Sequence, residues 1–234
     1  MGATNNLLLD SLSPRSRDLL VSRATPILLP SGTSLYTANE TPTFAYFLTS
    51  GMASIVVSTL EGETAEVGVV GREGVIGSLH VLGPAPLPTD CMIQIAGGGL
   101  RIAFGDFKIA FKSSEEIRER VLEFAQEQAL SLSQIAACNR LHEAEPRLAR
   151  WLLMTQDRVQ SDALNFTQAF LANMLGTQRT TVTGIAGGLQ QRGVIGYSRG
   201  EVRIVDRAGL QDVSCSCYEV FKHLYDLLYK RQED

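Results

Sequence analysis

Gln178, Arg179, Thr180, Thr181 and Thr183 stand close together in the chain, and their side chains are of the types that read base edges. Arginine can donate two hydrogen bonds to guanine, glutamine can pair with adenine, and threonine can bond a base or phosphate while its methyl meets thymine. Thr177 just before them, and Thr167 and Gln168 upstream, add further hydrogen-bonding groups. Arg199 can neutralise a backbone phosphate without reading sequence. These residues are the candidate DNA contacts. No catalytic residues are identified, and the chain is not read as an enzyme.

Two helices, a tight turn and a hairpin must hold these groups in place. Thr167 can cap a helix in which Phe170, Leu171, Met174 and Leu175 recur at helical spacing, giving one apolar face. Gly176 follows where a left-handed backbone ends a helix, and Thr177 can cap the next one. In that second helix Val182, Ile185, Ala186 and Leu189 form the buried stripe, so the polar residues fall on the exposed N-terminal turns that enter a major groove. Residues 194–197 and 202–205 have strand character, and Gly200 between them suits a positive φ. Arg199 then sits at the tip of a wing. Many helix-turn-helix corners are structural only, but here caps, glycine turn, polar second helix and wing coincide.

The chain has 234 residues, 44% of them hydrophobic and 20% charged, which is globular composition with room for two ordinary cores. Its net charge of −4 excludes a generally basic nucleic-acid coat. The charge is uneven: residues 177–207 hold 5 Arg against 2 acidic residues, modest support for a phosphate-facing surface. No apolar run approaches the ~20 residues a bilayer span needs, and the N-terminus lacks the pattern of a signal peptide. A cytoplasmic location is expected. Cys215 and Cys217 form a Cys-x-Cys without a second pair nearby, and His80, His142 and His223 are scattered, so neither a metal site nor an iron–sulfur site is evident. Buried thiols are expected instead.

Residues 7–20 read as a short helix interrupted at Ser13-Pro14. Between residues 24 and 111 short apolar runs punctuated by Gly32, Gly51, Gly62, Gly71, Gly83 and Gly97 to Gly99 predict an antiparallel β-barrel or sandwich. A long helix is predicted over 113–141, opened by Ser114 with Glu115 and Glu116 in the first turn. It carries two stripes. Ile117, Val121, Phe124, Gln128 and Ile135 form one, predicted to lie on the β-domain; Leu122, Ala125, Ala129, Leu132 and Ala136 form the other, predicted to meet the same helix of a second subunit. Residues 138–145 are the expected hinge, and another helix is predicted over 147–158. The fold class is α+β: an N-terminal antiparallel, jelly-roll β-barrel over residues 1–112, a dimerisation helix and hinge over 113–142, and a winged helix-turn-helix over 143–234.

In this order of parts, and in residues 70–77, 136–142, 147–153 and 167–189, the chain resembles the CRP/FNR family of bacterial transcription regulators, whose barrel is of the cyclic-nucleotide-binding type. The resemblance implies a homodimer that binds a near-palindromic site on double-stranded DNA, with a recognition helix in each of two major grooves one turn apart, and that recruits or blocks RNA polymerase. In members that bind cyclic AMP, a Gly-Glu pair holds the ribose, an Arg followed by Ser or Thr holds the phosphate, and a Thr-Ser pair on the long helix meets the base. Here Gly77 is followed by Ser78, the arginine region reads Leu87-Pro88-Thr89-Asp90, and the long-helix positions are Leu132 and Ser133. Without the ribose-binding carboxylate and the phosphate-binding guanidinium, and with Asp90 repelling an anion, cyclic AMP is not expected. The cofactor or effector is unknown. If an effector pocket is retained, Gly71, Arg72, Glu73, Gly77, Ser78, Thr89 and Ser133 are its candidates, with Gly71-Arg-Glu-Gly74 able to cradle an anion or to be only a strand turn. His80, the lone candidate for a haem ligand, is read as a loop or surface histidine.

Three other readings stand beside this one. A cupin-like enzyme would need a cluster of His and carboxylate ligands in the barrel, and the β-region offers only His80. A small-molecule-binding protein could use its winged helix for protein contacts alone. A family member could also act without any effector.

Overall fold

The break at Ser13-Pro14 divides the first helical segment into α1 (Leu7–Asp10) and α2 (Pro14–Val21), with the Ser13 hydroxyl accepting from the Ser16 N–H. A computed structural model describes residues 3–84, 86–166, 168–198 and 200–229, apart from the side chains of Gln168, Ala169 and Asn173. Asn6, fully buried, fastens α1 to the β-region: its side-chain amide donates to the Leu48 carbonyl at 2.9 Å and the Gly74 carbonyl at 3.0 Å.

Strands β1 (Thr25–Leu29), β2 (Ser34–Tyr36), β3 (Phe44–Ser58) and β4 (Thr64–Val70) lead through the short helix α3 (Ser78–Leu82) to β5 (Asp90–Ala103). All pairings are antiparallel, in the order β1, β5, β3, β4, with β2 also on β5, so among the described residues the sheet is open rather than a closed barrel. The sequence suggests strand ends at Gly51 and at residues 97–99, yet β3 and β5 run through both as paired strands with register shifts between Leu48 and Ala53. A Cβ on Gly97 would lie 2.2 Å from the Ser50 carbonyl oxygen, and one on Gly99 2.4 Å from that of Phe47. Glycine is needed there because two backbones approach closely at a bulge, and a bulge uses the same residue type as a turn.

Helix α4 (Phe104–Ser113) falls where the sequence suggests the end of the β-region; Phe104, Phe107 and Ala110 are buried at helical spacing, a signal hidden by the preceding strand pattern. After Ser114, whose hydroxyl accepts from the Ile117 N–H, α5 (Glu115–Leu141) runs along the sheet. It buries Ile117, Val121 and Phe124 in the same core as Phe47, Ile93 and Ile102. Of the second stripe, Ala125 is buried within the chain, while Leu122, Ala129, Leu132 and Ala136 are exposed.

The hinge is shorter than residues 138–145, because α5 continues to Leu141 and α6 (Ala144–Val159) begins ahead of Pro146, leaving His142 and Glu143 between them. Proline is tolerated in a first turn, where its missing N–H has no helical partner to lose. Then come β6 (Ala163–Asn165), α7 (Gln168–Leu175), α8 (Arg179–Gln191), β7 (Ile195–Ser198), β8 (Glu201–Ile204), α9 (Arg207–Val213) and α10 (Cys217–Tyr229). The second sheet has the order β6, β8, β7. A second core gathers Leu148, Trp151, Leu152, Leu164, Leu171 and Leu189, and it takes in Met52 from β3. The α10 helix packs back along α5, and its last residue, Tyr229, donates its hydroxyl to the Glu73 carbonyl.

Candidate nucleic-acid interface and apolar pocket

Gly176 has φ 61°, the left-handed conformation that ends α7, and the Thr177 N–H closes the turn on the Ala172 carbonyl at 3.0 Å. The capping position of α8 is Gln178 and not Thr177, whose N–H is drawn into the closure of the preceding helix; among the described residues no side chain caps α8. Val182, Ala186 and Leu189 are buried beneath it, while Gln178, Arg179, Thr180, Thr181 and Thr183 are exposed. The Thr183 hydroxyl donates to the Arg179 carbonyl at 2.9 Å. An uncapped helix N-terminus with exposed arginine and threonine side chains can take a phosphate on its backbone N–H groups and a base edge on its side chains. Thr177 is partly buried at the turn, which shares an open cleft with Thr59 and Glu63 of the β3–β4 turn and Thr64 at the start of β4. Thr167 and Arg199 lie outside the described residues, as does the side chain of Gln168.

The local excess of arginine is partly engaged inside the chain. Arg192 meets Glu145 at 2.6 Å, Arg203 meets Glu201 at 3.2 Å, and Arg207 meets Asp157 at 2.7 Å. Arg179 makes no ion pair among the described residues.

Between the sheet, α5 and α6 lies a cavity of about 210 Å³. Ile55, Val67, Val69, Leu132, Ile135 and Met154 make most of its wall apolar, with Thr89, Gln128, Glu127 and Arg158 among its polar groups. Glu127 is 8% exposed and accepts from the Ser131 hydroxyl at 2.6 Å; burial holds its carboxyl above the usual range, against the pull of Arg158.

The candidate effector residues are divided by this geometry. Thr89 lines the cavity. Gly77 and Ser78 line a much smaller neighbouring space, where the Ser78 hydroxyl donates to Gln128 Oε1 at 2.7 Å. Gly71, Arg72 and Glu73 are not brought to it: the Glu73 carboxylate takes the Gly71 N–H and the Arg158 guanidinium, and Arg72 donates to the Gln160 side chain at 2.9 Å. Ser133 is exposed and returns its hydroxyl to the Ala129 carbonyl at 3.0 Å. His80 is neither a loop nor a surface residue: it is 8% exposed in α3, with its ring 4.6 Å from that of Tyr36 and 6.3 Å from that of Phe104. Burial lowers its pKa. Sequence reasoning missed Ile55, Val67, Met154 and Arg158 as cavity residues, since the strand and helix patterns that reveal an apolar face do not say which faces leave a gap between them.

An antiparallel sheet, a long connecting helix and a winged helix-turn-helix, in that order, define a DNA-binding regulator with a β-domain ahead of its DNA-binding module. The description "cyclic nucleotide-binding domain" matches residues 26–114 and "Crp-like helix-turn-helix domain" matches residues 146–213. The chain belongs to the CRP/FNR family, whose members are transcription regulators and not enzymes, and it is a transcription regulator of that type. FixK2 from Bradyrhizobium japonicum has the same fold, with a TM-score of 0.70 at 13% identity over 82% of this chain and 98% of that one. So do TTHB099, a CRP-family transcriptional regulator from Thermus thermophilus (0.66, 18%, 81% and 96%), and the c-di-GMP-responsive global regulator CLP from Xanthomonas campestris (0.65, 14%, 82% and 99%). No curated protein matches the chain. No helix among the described residues is long and apolar enough to cross a membrane.

Proposed function

We propose that this regulator acts in the cytoplasm as a homodimer, presenting Gln178, Arg179, Thr180, Thr181 and Thr183 of two α8 helices to successive major grooves of a near-palindromic operator. From there it acts on RNA polymerase. The observation that carries this reading is the exposed polar first turns of α8 above the buried Val182, Ala186 and Leu189. A second copy is supported by the apolar face left on α5, where Leu122 and Leu132 are 45% and 47% exposed beside Ala129 and Ala136. Residues 1–112 then sense, 113–142 pair and transmit, and 143–234 bind DNA.

The effector is a small, mainly apolar molecule held in the cavity between the sheet, α5 and α6. A cyclic nucleotide is disfavoured because the one guanidinium among the described wall residues, that of Arg158, already serves Glu73, and Glu127 adds an acidic group. Met154 and Arg158 belong to the first helix of the DNA-binding module, so a ligand there touches all three parts at once. It shifts the population only as far as it prefers one arrangement of them.

Incubating the purified full-length protein with fragments of its own chromosome, and sequencing those retained with and without a small-molecule extract, tests the reading. A short set of fragments sharing an inverted repeat is expected, together with a dimer mass by sedimentation. A monomer that retains no fragment under either condition would overturn it.

A further inference from the structure

The Cys-x-Cys at positions 215 and 217 lacks a neighbouring pair in the sequence, and the fold supplies one. Cys138 and His142 sit one helical turn apart at the end of α5, where His142 is the capping residue and its N–H donates to the Cys138 carbonyl at 3.1 Å. Cys215 and Cys217 lie at the junction of α9 and α10, held to the start of α6 by the Cys215 N–H on the Pro146 carbonyl at 3.4 Å. One ligand atom from each of the four residues lies within 4.8 Å of all the others. Cys138 Sγ is 3.5 Å from Cys215 Sγ, and Cys217 Sγ is 3.5 Å from His142 Nδ1.

We propose that Cys138, His142, Cys215 and Cys217 bind one divalent cation of the zinc class in a closed tetrahedral site. With metal–sulfur bonds of ~2.3 Å and metal–nitrogen bonds of ~2.0–2.1 Å, the edges of such a tetrahedron are ~3.5–3.8 Å. The two 3.5 Å contacts already match an edge. A cluster of several iron ions spreads its thiolates around a larger core, whereas these donors fit one coordination sphere. Three thiolates and an imidazole select zinc over oxygen-seeking calcium or magnesium, and four protein ligands leave no open position for catalysis. The role is structural.

The surroundings are those of a metal–thiolate site. Gln134 Nε2 donates to Cys217 Sγ at 3.0 Å, the kind of outer hydrogen bond that orients a ligand. Cys217 is the first residue of α10 and is buried. Three thiolates around a dication leave one negative charge, and a buried cation stands near to meet it. Arg150 is 4% exposed, makes no ion pair among the described residues, and has an Nε without an acceptor. Its charge acts on the Cys138 and Cys215 thiols as well as on Glu66. The same guanidinium lies over the Phe221 ring, 5.1 Å from its centroid, which holds it beside the cluster. Because His142 stands between α5 and α6, the ion would tie the hinge to the start of α10, fixing the DNA-binding module against the long helix.

The test uses full-length protein purified under reducing conditions from zinc-supplemented medium. Elemental analysis after gel filtration should find one zinc per chain, and cobalt added to the reduced, metal-stripped protein should give the intense visible bands of tetrahedral thiolate coordination. Cys217→Ser and His142→Ala should each weaken zinc binding, in competition with a chromophoric chelator, by more than the roughly 10–100-fold that losing an outer hydrogen bond costs. Cys91→Ser, whose thiol is buried in the β-domain core, should keep full occupancy. The cobalt experiment needs no variant to fold. Wild-type protein that takes up neither zinc nor cobalt would overturn the proposal, as would iron with acid-labile sulfide in place of zinc.

Discussion

Glu73 Oε1 accepts the Arg158 Nε–H at 2.8 Å with both side chains buried, joining the loop after β4 to the end of α6. The same carboxylate oxygen takes the Gly71 N–H at 3.0 Å, so the pair ties the N-terminal sheet to the DNA-binding module through one enclosed charge contact. Removing one member strands the other. Glu73→Ala should destabilise the protein by about 3–5 kcal/mol, measured by urea unfolding. Adding Arg158→Met should recover much of that loss, because an apolar replacement removes the stranded cation. A loss below ~1 kcal/mol, the value of an exposed pair, would show that the contact is solvated.

Gly74 meets the face of a different residue. A Cβ there would lie 2.0 Å from Phe124 Cζ, so the loop after β4 passes flat under a ring of α5 that is 1% exposed. The glycine is thus a packing device between sheet and long helix, which removes the need for an anion cradle to explain it. Gly74→Ala should cost about 1–3 kcal/mol through overpacking. Combined with Phe124→Leu, which trims the ring, it should cost less than the two changes summed, since neighbours in contact couple. Strict additivity in thermal unfolding would place the two residues apart.

The parts of the fold that were legible in the sequence are those where one periodicity meets one partner. Val182, Ala186 and Leu189 announce the buried side of α8 by spacing alone, and Gly176 ends α7 with the positive φ that its position after the last apolar residue requires. Where a residue type serves two physical ends, sequence could not choose. Gly97 and Gly99 signal a turn yet sit inside β5, because close backbone approach and chain reversal ask for the same missing Cβ. Glu73 looked able to serve a ligand and instead faces Arg158, a partner decided by how α6 crosses the sheet. Cys138, His142 and the pair at 215 and 217 converge only after α9 packs on α6 and α10 folds back on α5. Long-range juxtaposition of this kind leaves no local pattern.

Glu66 bridges the same two parts with a titratable contact. Its carboxylate accepts the Trp151 indole N–H at 2.6 Å and the Ser54 hydroxyl at 2.6 Å. Burial pushes its pKa up to about 7 from an ordinary value of 4.5, while those hydrogen bonds and the Arg150 and Arg158 charges pull it back. A carboxyl that titrates higher in the folded chain binds its proton more tightly there, so its stabilising effect is complete below about pH 4.5 and is lost as the pH rises through about 7. Relative to Glu66→Gln, the wild type should therefore lose unfolding free energy across that window. Parallel pH curves for the two proteins would refute the elevated titration.

Arg179 and Arg199 should separate base reading from phosphate holding. Arg179 is exposed at the start of α8 and free of ion pairs among the described residues, so its guanidinium can reach a guanine edge without first breaking an internal contact. Arg179→Ala should weaken operator binding by roughly 1–3 kcal/mol and relax base preference at one position, as read by gel shift on a set of single-base operator variants. Arg199→Ala, at the expected wing tip, should weaken operator and random duplex alike and reduce the slope of log affinity against log salt by about one. The contrast carries the argument, because both variants lose one positive charge and differ only in where it stood. Equal losses on specific and random duplex for Arg179→Ala would reduce its role to charge alone and move the sequence-reading surface elsewhere on the module.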